Sequence, residues 1–224
     1  MGTESPLRVF GYGSLMWQPG FPYVAASRGR LVGWHRSFCV YSVQYRGTLA
    51  RPGLVLGLQR RGTCDGMVFE VAPEDRARVI AYLRKREQAW GVYQERRLKV
   101  HLADSGACVE ALTFVAEALH PNFAGELKLT DVARIIRSSR GPAGTNLEYF
   151  VRLHAALKGL GIRDWHMSAL ARAIGPADTP ERWTALCNAN ARADRPAGEC
   201  RANLSKVAQH KFVFRSRLNG GGTD

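Results

Sequence analysis

Hydrophobic and polar positions follow two different periods along the chain. Residues 8–10 are a short β-forming run that enters the tight glycine turn Gly11-Tyr12-Gly13-Ser14-Leu15-Met16-Trp17. Residues 30–43 are rich in β-formers with partial alternation, which predicts a long strand bent at Gly33. Segments 54–59 and 66–71 flank Arg60-Arg61-Gly62-Thr63-Cys64-Asp65 and predict a hairpin with a glycine-containing loop. The period then lengthens. Pro73-Glu74-Asp75 places proline and two acids in a first helical turn, so a helix is expected from residue 73 to about residue 88, ending near Gly91. Segments 96–102 and 108–115 bracket Ala103-Asp104-Ser105-Gly106 as a second hairpin. Beyond it the chain reads as helical, over 130–138, from the capping box Thr145-Asn146-Leu147-Glu148 to about residue 159, and over 164–173. Strands with one inserted helix, followed by helices, define an α+β fold: a mostly antiparallel sheet or barrel with helices on one side.

The 224 residues, 46% apolar and 23% charged, fit one ordinary globular domain with a tail. From residue 175 the apolar period fades into Ala, Arg, Asn and Gly. Residues 175–224 are therefore expected to be a basic, poorly ordered tail carrying a helix at 181–190. No run approaches the ~20 apolar residues of a membrane span and the N-terminus has no signal-peptide pattern. The expectation is a soluble, cytoplasmic protein without membrane association. The five cysteines are scattered with no CxxC pair, and the six histidines show no metal-binding spacing. Neither a disulfide framework nor a metal or other cofactor is expected. Cys39 and Cys108 read as core thiols. The formal charge of +13 is spread along the chain rather than gathered in a stripe or module, so no nucleic-acid partner is expected. A solvated basic surface, or attraction of a small anion, accounts for it equally well. The oligomeric state is not legible.

Three segments carry candidate chemistry. On the helix from Pro73 the apolar stripe reads Ala77, Ile80, Leu83, Glu87, Trp90, with Glu87 seven residues after Ile80 on the same face. A carboxylate aimed at a core is either raised in pKa, as a general base requires, or paired with Arg84 or Arg86. Both readings stay open. The turn Gly11–Leu15 allows backbone N–H groups to converge on an oxyanion, or is simply a tight turn. It is neither a dinucleotide fingerprint nor a nucleophile elbow. Residues 140–149 lead a glycine-rich loop into a capped helix N-terminus, where Glu148 is a capping residue and Tyr149 is core or ligand contact.

Together these segments closely resemble the ChaC family of glutathione-directed γ-glutamylcyclotransferases. The likeness is carried by Val9–Trp17, Gly33–Cys39, Arg46-Gly47-Thr48, Arg51–Leu58, Tyr82-Leu83 with Arg86-Glu87, and Gly144–Tyr149, in family order. The resemblance covers residues 8–173 and marks 1–174 as the catalytic domain. It implies a small mixed β-barrel flanked by helices. It also implies release of 5-oxoproline and cysteinylglycine from glutathione, with Glu87 as general base, Tyr12, Gly13, Ser14 and Leu15 holding the γ-glutamyl moiety, and Tyr149 at the site. Arg36, Arg46 and Arg51 are candidates for the glycine carboxylate of the substrate. Two rival readings are a cyclotransferase for other γ-glutamyl amines and a non-catalytic regulator of cation transport on the same scaffold.

Overall fold

The computed structural model describes residues 6–88 and 91–175. Trp90 and the expected tail from residue 176, with its helix at 181–190, lie outside the described residues. Five strands close a barrel in the order β1-β3-β2-β4-β5: β1 (Leu7–Gly11), β2 (Ala25–Ser42), β3 (Gly53–Val71), β4 (Tyr93–Leu102) and β5 (Cys108–Ala116). All pairs are antiparallel except β1–β5, which closes the ring at Val9↔Leu112 as a parallel contact. This is the small mixed barrel that the family resemblance implies.

β2 and β3 form one long antiparallel ribbon, from Ala25↔Glu70 to Ser42↔Gly53. The hairpin expected around residues 60–65 is therefore wrong: that segment lies inside the single strand β3. Arg61 and Gly62 do take positive φ, 83° and 74°, opposite Gly33 at 84°. They serve a register shift between Val32 and Trp34 rather than a reversal of the chain. A bulge needs the same left-handed backbone that a turn needs, and it bends the strand while pairing continues. The predicted bend at Gly33 is present. The hairpin between β4 and β5 is also present, with Gly106 at φ 68°.

A 3-10 turn at Pro73–Asp75 leads into α1 (Arg76–Glu87). Its buried stripe is Val79 and Leu83, with Ala77 exposed and Ile80 only partly covered. The expected stripe was thus displaced by one position, but Glu87 remains on the inward side, at Val79 plus eight. α2 (Leu129–Ser138) precedes a small ribbon of the two-residue strands β6 (Arg140–Gly141) and β7 (Gly144–Thr145), and α3 (Asn146–Gly159) and α4 (Trp165–Ile174) follow it. The Thr145 hydroxyl accepts from the Glu148 N–H at 3.1 Å, and Asp164 caps α4 through Met167 N–H at 3.1 Å.

β1 is covered on both faces. Phe10 joins a large cluster with Phe150, Leu153, Leu157, Met167 and Leu170 of α3 and α4. Leu7 and Val9 join a second cluster with Val79 and Leu83 of α1. The turn that leaves β1 divides in the same way, with Tyr12 and Met16 in the first cluster and Leu15 in the second. Cys39 is a buried core thiol as expected, but Cys108 is exposed, because it begins β5 directly after the turn of the β4–β5 hairpin. Among the described residues no helix is long and apolar enough to cross a membrane.

Candidate active site

The chain leaves β1 through a turn so tight that a Cβ on Gly11 would stand 2.8 Å from the Leu15 Cβ. Glycine is required there. Ser14–Met16 then forms one 3-10 turn, closed by the Met16 N–H on the Gly13 carbonyl at 2.9 Å. The N–H groups of Gly13, Ser14 and Leu15 precede the first bonded one, and first-turn donors have no intrahelical acceptor. Leu15 itself is buried in the cluster under α1, so it anchors the turn.

This turn borders a cavity of about 480 Å³. Tyr12, Gly13, Ser14, Leu15, Glu87 and Tyr149, from three distant segments, all line it. So do Tyr93, Arg46, Arg86 and Arg152. Glu87, at the last turn of α1, has a side chain only 19% exposed. Burial raises its pKa above the ordinary value of 4.5, against the opposing pull of Arg86, whose Nε stands 3.1 Å from Oε1. Both readings of the lone carboxylate are therefore true at once: it is ion-paired with Arg86, and its pKa is still raised. Arg84 turns outward to Glu95 instead.

Arg86 ties the base to the turn. Its Nη2 donates to the Ser14 hydroxyl at 2.9 Å, and its Nη1 donates to Tyr82 Oη at 2.8 Å and the Gln18 carbonyl at 3.0 Å. Three phenols surround the carboxylate. Tyr12 donates to the Phe114 carbonyl at 2.9 Å and Tyr93 to the Leu56 carbonyl at 2.6 Å. Burial pushes both well above the usual tyrosine range, reinforced at Tyr12 by the nearby Glu87 charge and at Tyr93 by the neighbouring phenols Tyr12 and Tyr149 before Glu87. Tyr149 is pushed up to about 12, chiefly by burial, with a Leu56 backbone hydrogen bond opposing. Its ring stands edge-on to Trp17 and Phe38, at 5.9 and 6.0 Å. All three phenols remain neutral donors through the physiological range.

Of the three arginines considered for a substrate carboxylate, only Arg46 lines the cavity. It lies 5.7 Å from the Tyr149 ring centroid and 3.4 Å from Glu148 Oε2. Glu148, which also pairs with Arg152 at 2.6 Å, thus holds two cations at the cavity wall besides receiving the cap bond. Arg36 is fully buried elsewhere, and Arg51 is exposed outside the cavity. Sequence reasoning missed Arg86, Tyr93 and Arg152 as site residues. For Arg86 the signal was its adjacency to Glu87; Tyr93 and Arg152 gave none. Among the described residues no three His, Cys, Asp or Glu side chains are grouped to hold a metal ion.

A closed barrel, with a carboxylate of raised pKa facing a turn of free backbone donors, defines a small-molecule site suited to moving a proton beside a developing negative charge. The model of the ChaC-like protein family matches residues 7–176, and the chain belongs to that family. It is 35% identical over 161 residues to the glutathione-specific γ-glutamylcyclotransferase of Escherichia coli K12, spanning 72% of this chain and 69% of that one. It is 32% identical over 179 residues to the human glutathione-specific γ-glutamylcyclotransferase 1, spanning 78% and 81%. Among solved structures, a selenomethionine-labelled γ-glutamyl cyclotransferase specific to glutathione from yeast superimposes with a TM-score of 0.70 at 25% identity, over 76% of this chain and 96% of that one.

Proposed function

We propose that this protein is a glutathione-degrading γ-glutamylcyclotransferase, releasing 5-oxo-L-proline and cysteinylglycine, with Glu87 as the general base. The observation that carries the reading is the partly desolvated Glu87 carboxylate in the cavity bordered by the Tyr12–Leu15 turn, in a chain of the ChaC-like family.

The chemistry needs no protein nucleophile. The α-amine of the γ-glutamyl group lies one five-membered ring away from its own γ-carbonyl. The cavity has to fold that short chain into its reactive shape, which is an orientation effect. The α-ammonium sheds one proton to solvent to give the free amine, and Glu87 takes a second proton from the same nitrogen as the C–N bond forms. The carbonyl oxygen, now negative, is stabilised by the N–H donors of Gly13, Ser14 and Leu15. As the tetrahedral intermediate collapses, the cysteine nitrogen leaves and takes the proton back from Glu87. A carboxyl held above 4.5 is a better proton carrier in both directions than an ordinary glutamate.

Arg46 is the candidate partner of the glycine carboxylate, because it lines the cavity while Arg36 and Arg51 do not. The Tyr149 ring beside it holds the guanidinium in place. The substrate is thereby a γ-glutamyl peptide with a second, distal carboxylate rather than a γ-glutamyl amine.

The test is incubation with glutathione and, separately, with γ-glutamyl dipeptides and simple γ-glutamyl amines, following 5-oxoproline. Turnover of glutathione with at most slow turnover of the amines is expected. Preference for the amines would overturn the substrate, and no turnover of any of them would overturn the reaction.

A further inference from the structure

Arg36 is a fully buried cation, its side chain 0% exposed, and it lies outside the cavity. It stands where three distant segments meet. Nη1 donates to the Tyr12 carbonyl at 2.7 Å and lies 3.7 Å from the Met16 sulfur. Nη2 donates to the Asp65 carbonyl in the middle of β3. Nε lies 2.8 Å from Asp164 Oδ2, as an ion pair rather than an aligned hydrogen bond. The other oxygen of the same carboxylate caps α4.

The contact with Tyr12 has a directional consequence. In a trans peptide the carbonyl and the following N–H point in opposite directions, and the described residues contain no cis peptide. The guanidinium draws the Tyr12 carbonyl into the protein. The N–H of Gly13 must then point away from Arg36, and Gly13 is a wall of the cavity. The second contact, to Met16, holds the far end of the same turn. A single buried side chain therefore fixes the orientation of the peptide that leads the row of free donors.

The geometry points to Arg36 as a positioning residue, which aims the Gly13 N–H into the cavity by holding the Tyr12 carbonyl from behind. As a catalytic statement this rests on the cyclotransferase reading above. The planar guanidinium is suited to the task because its fork meets the Tyr12 and Asp65 carbonyls and the Asp164 carboxylate together. A lysine ammonium is a point charge on a flexible stem and does not reproduce that fork. Asp164 plays a different part: it balances the buried charge and caps a helix, its polar partners among the described residues being Arg36, Met167 and Ser168 rather than the turn.

These roles separate by substitution. Arg36→Lys is expected to lower kcat for 5-oxoproline release about 10-fold to 100-fold, less than the ~10²–10³-fold of losing an oxyanion donor outright, with KM within about 3-fold. Asp164→Asn keeps the Tyr12 contact and the cap oxygen. It is expected to lower the melting temperature while kcat stays within about 3-fold. If Asp164→Asn reduces kcat as much as Arg36→Lys does, the effect is general loosening and the inference is overturned. It is equally overturned if Arg36→Lys leaves kcat within 2-fold.

A readout without turnover keeps the inference distinct from the reaction. In amide spectra of ¹⁵N-labelled protein, Arg36→Lys is expected to move or broaden the Gly13 and Ser14 resonances while those of β4 and β5 stay in place. Gly13 and Ser14 resonances superimposable on the wild type would overturn the assignment, whether or not glutathione is a substrate. If Arg36→Lys does not fold, the charge-free pair Arg36→Gln with Asp164→Asn leaves no uncompensated buried charge and carries the same test with the same outcomes.

Discussion

Replacing Glu87 by glutamine keeps the shape of the side chain and removes its ability to carry a proton. The position can tolerate it: the side chain is 19% exposed and its ion-pair partner Arg86 has the Ser14 hydroxyl, the Tyr82 hydroxyl and the Gln18 carbonyl as further acceptors. Loss of a positioned general base is worth about 10²–10⁴-fold in rate, or about 3–5 kcal/mol of barrier. The expected result is a kcat for 5-oxoproline release lower by at least that hundredfold, with KM little changed. Stability provides an independent check with a defined sign. Burial raises the Glu87 pKa in the folded protein above 4.5, so between 4.5 and the folded value the native state binds more protons than the unfolded chain. Stability from this group therefore falls as pH rises through that window, and the penalty is fully present above the folded value. Glutamine has no such penalty. Glu87→Gln should match the wild type at a pH below 4.5 and gain on it as pH rises toward neutrality, measured by urea midpoints across pH. Turnover within tenfold of the wild type would refute the base. A variant that loses ground to the wild type as pH rises would refute the desolvation argument, since it would mean that the Arg86 pair outweighs burial.

Other perturbations test neighbouring parts of the account. Gly13→Ala should fold normally, since its Cβ would meet only ordinary contacts 3.5 Å from Leu56 Cδ1 and Tyr149 Oη, but the methyl group intrudes on the cavity, so KM for glutathione should rise severalfold in steady-state assays. Asn146 is fully buried at the start of α3, where it accepts from Leu54 N–H at 2.6 Å and donates to the Leu54 carbonyl at 2.7 Å. Asn146→Ala strands both backbone groups and should cost about 2–4 kcal/mol in denaturant unfolding. Arg46→Met should raise KM for glutathione about tenfold or more while leaving γ-glutamyl amines, which lack the distal carboxylate, within about twofold.

What was legible in the sequence was mostly local. Thr145 with Glu148, and Asp164, mark helix starts because a cap is made within a few residues of itself, and Pro73-Glu74-Asp75 marks one through proline at the first helical position and acids in the first turn, without a side-chain cap. Positive-φ signals were also read correctly as backbone but not as topology. Arg61-Gly62 looks the same in a turn as in a bulge, and only the partner strand, with Gly33 opposite, decides that β3 runs on. The stripe on α1 was misplaced by one residue because Ile80 and Val79 are equally apolar, and the cluster under β1 selects Val79. The six candidate residues line one cavity because their segments formed a recognisable set, not because spacing required it. The pairing of Arg86 with Glu87 was open to a sequence reading, but the reach of Arg86 to Ser14 and the position of Arg36 were not, for a physical reason. Those acceptors, Ser14, Tyr12, Asp65 and Asp164, lie far along the chain, and no periodicity records a hydrogen bond between distant segments.

The most direct measurement of the central claim is the product balance from glutathione. The protein is incubated with glutathione, and 5-oxoproline, cysteinylglycine and free glutamate are quantified in the same samples over time. Intramolecular attack by the α-amine predicts 5-oxoproline and cysteinylglycine in equal amounts with no glutamate. Glutamate in place of 5-oxoproline would mean that water is the nucleophile and would contradict the account.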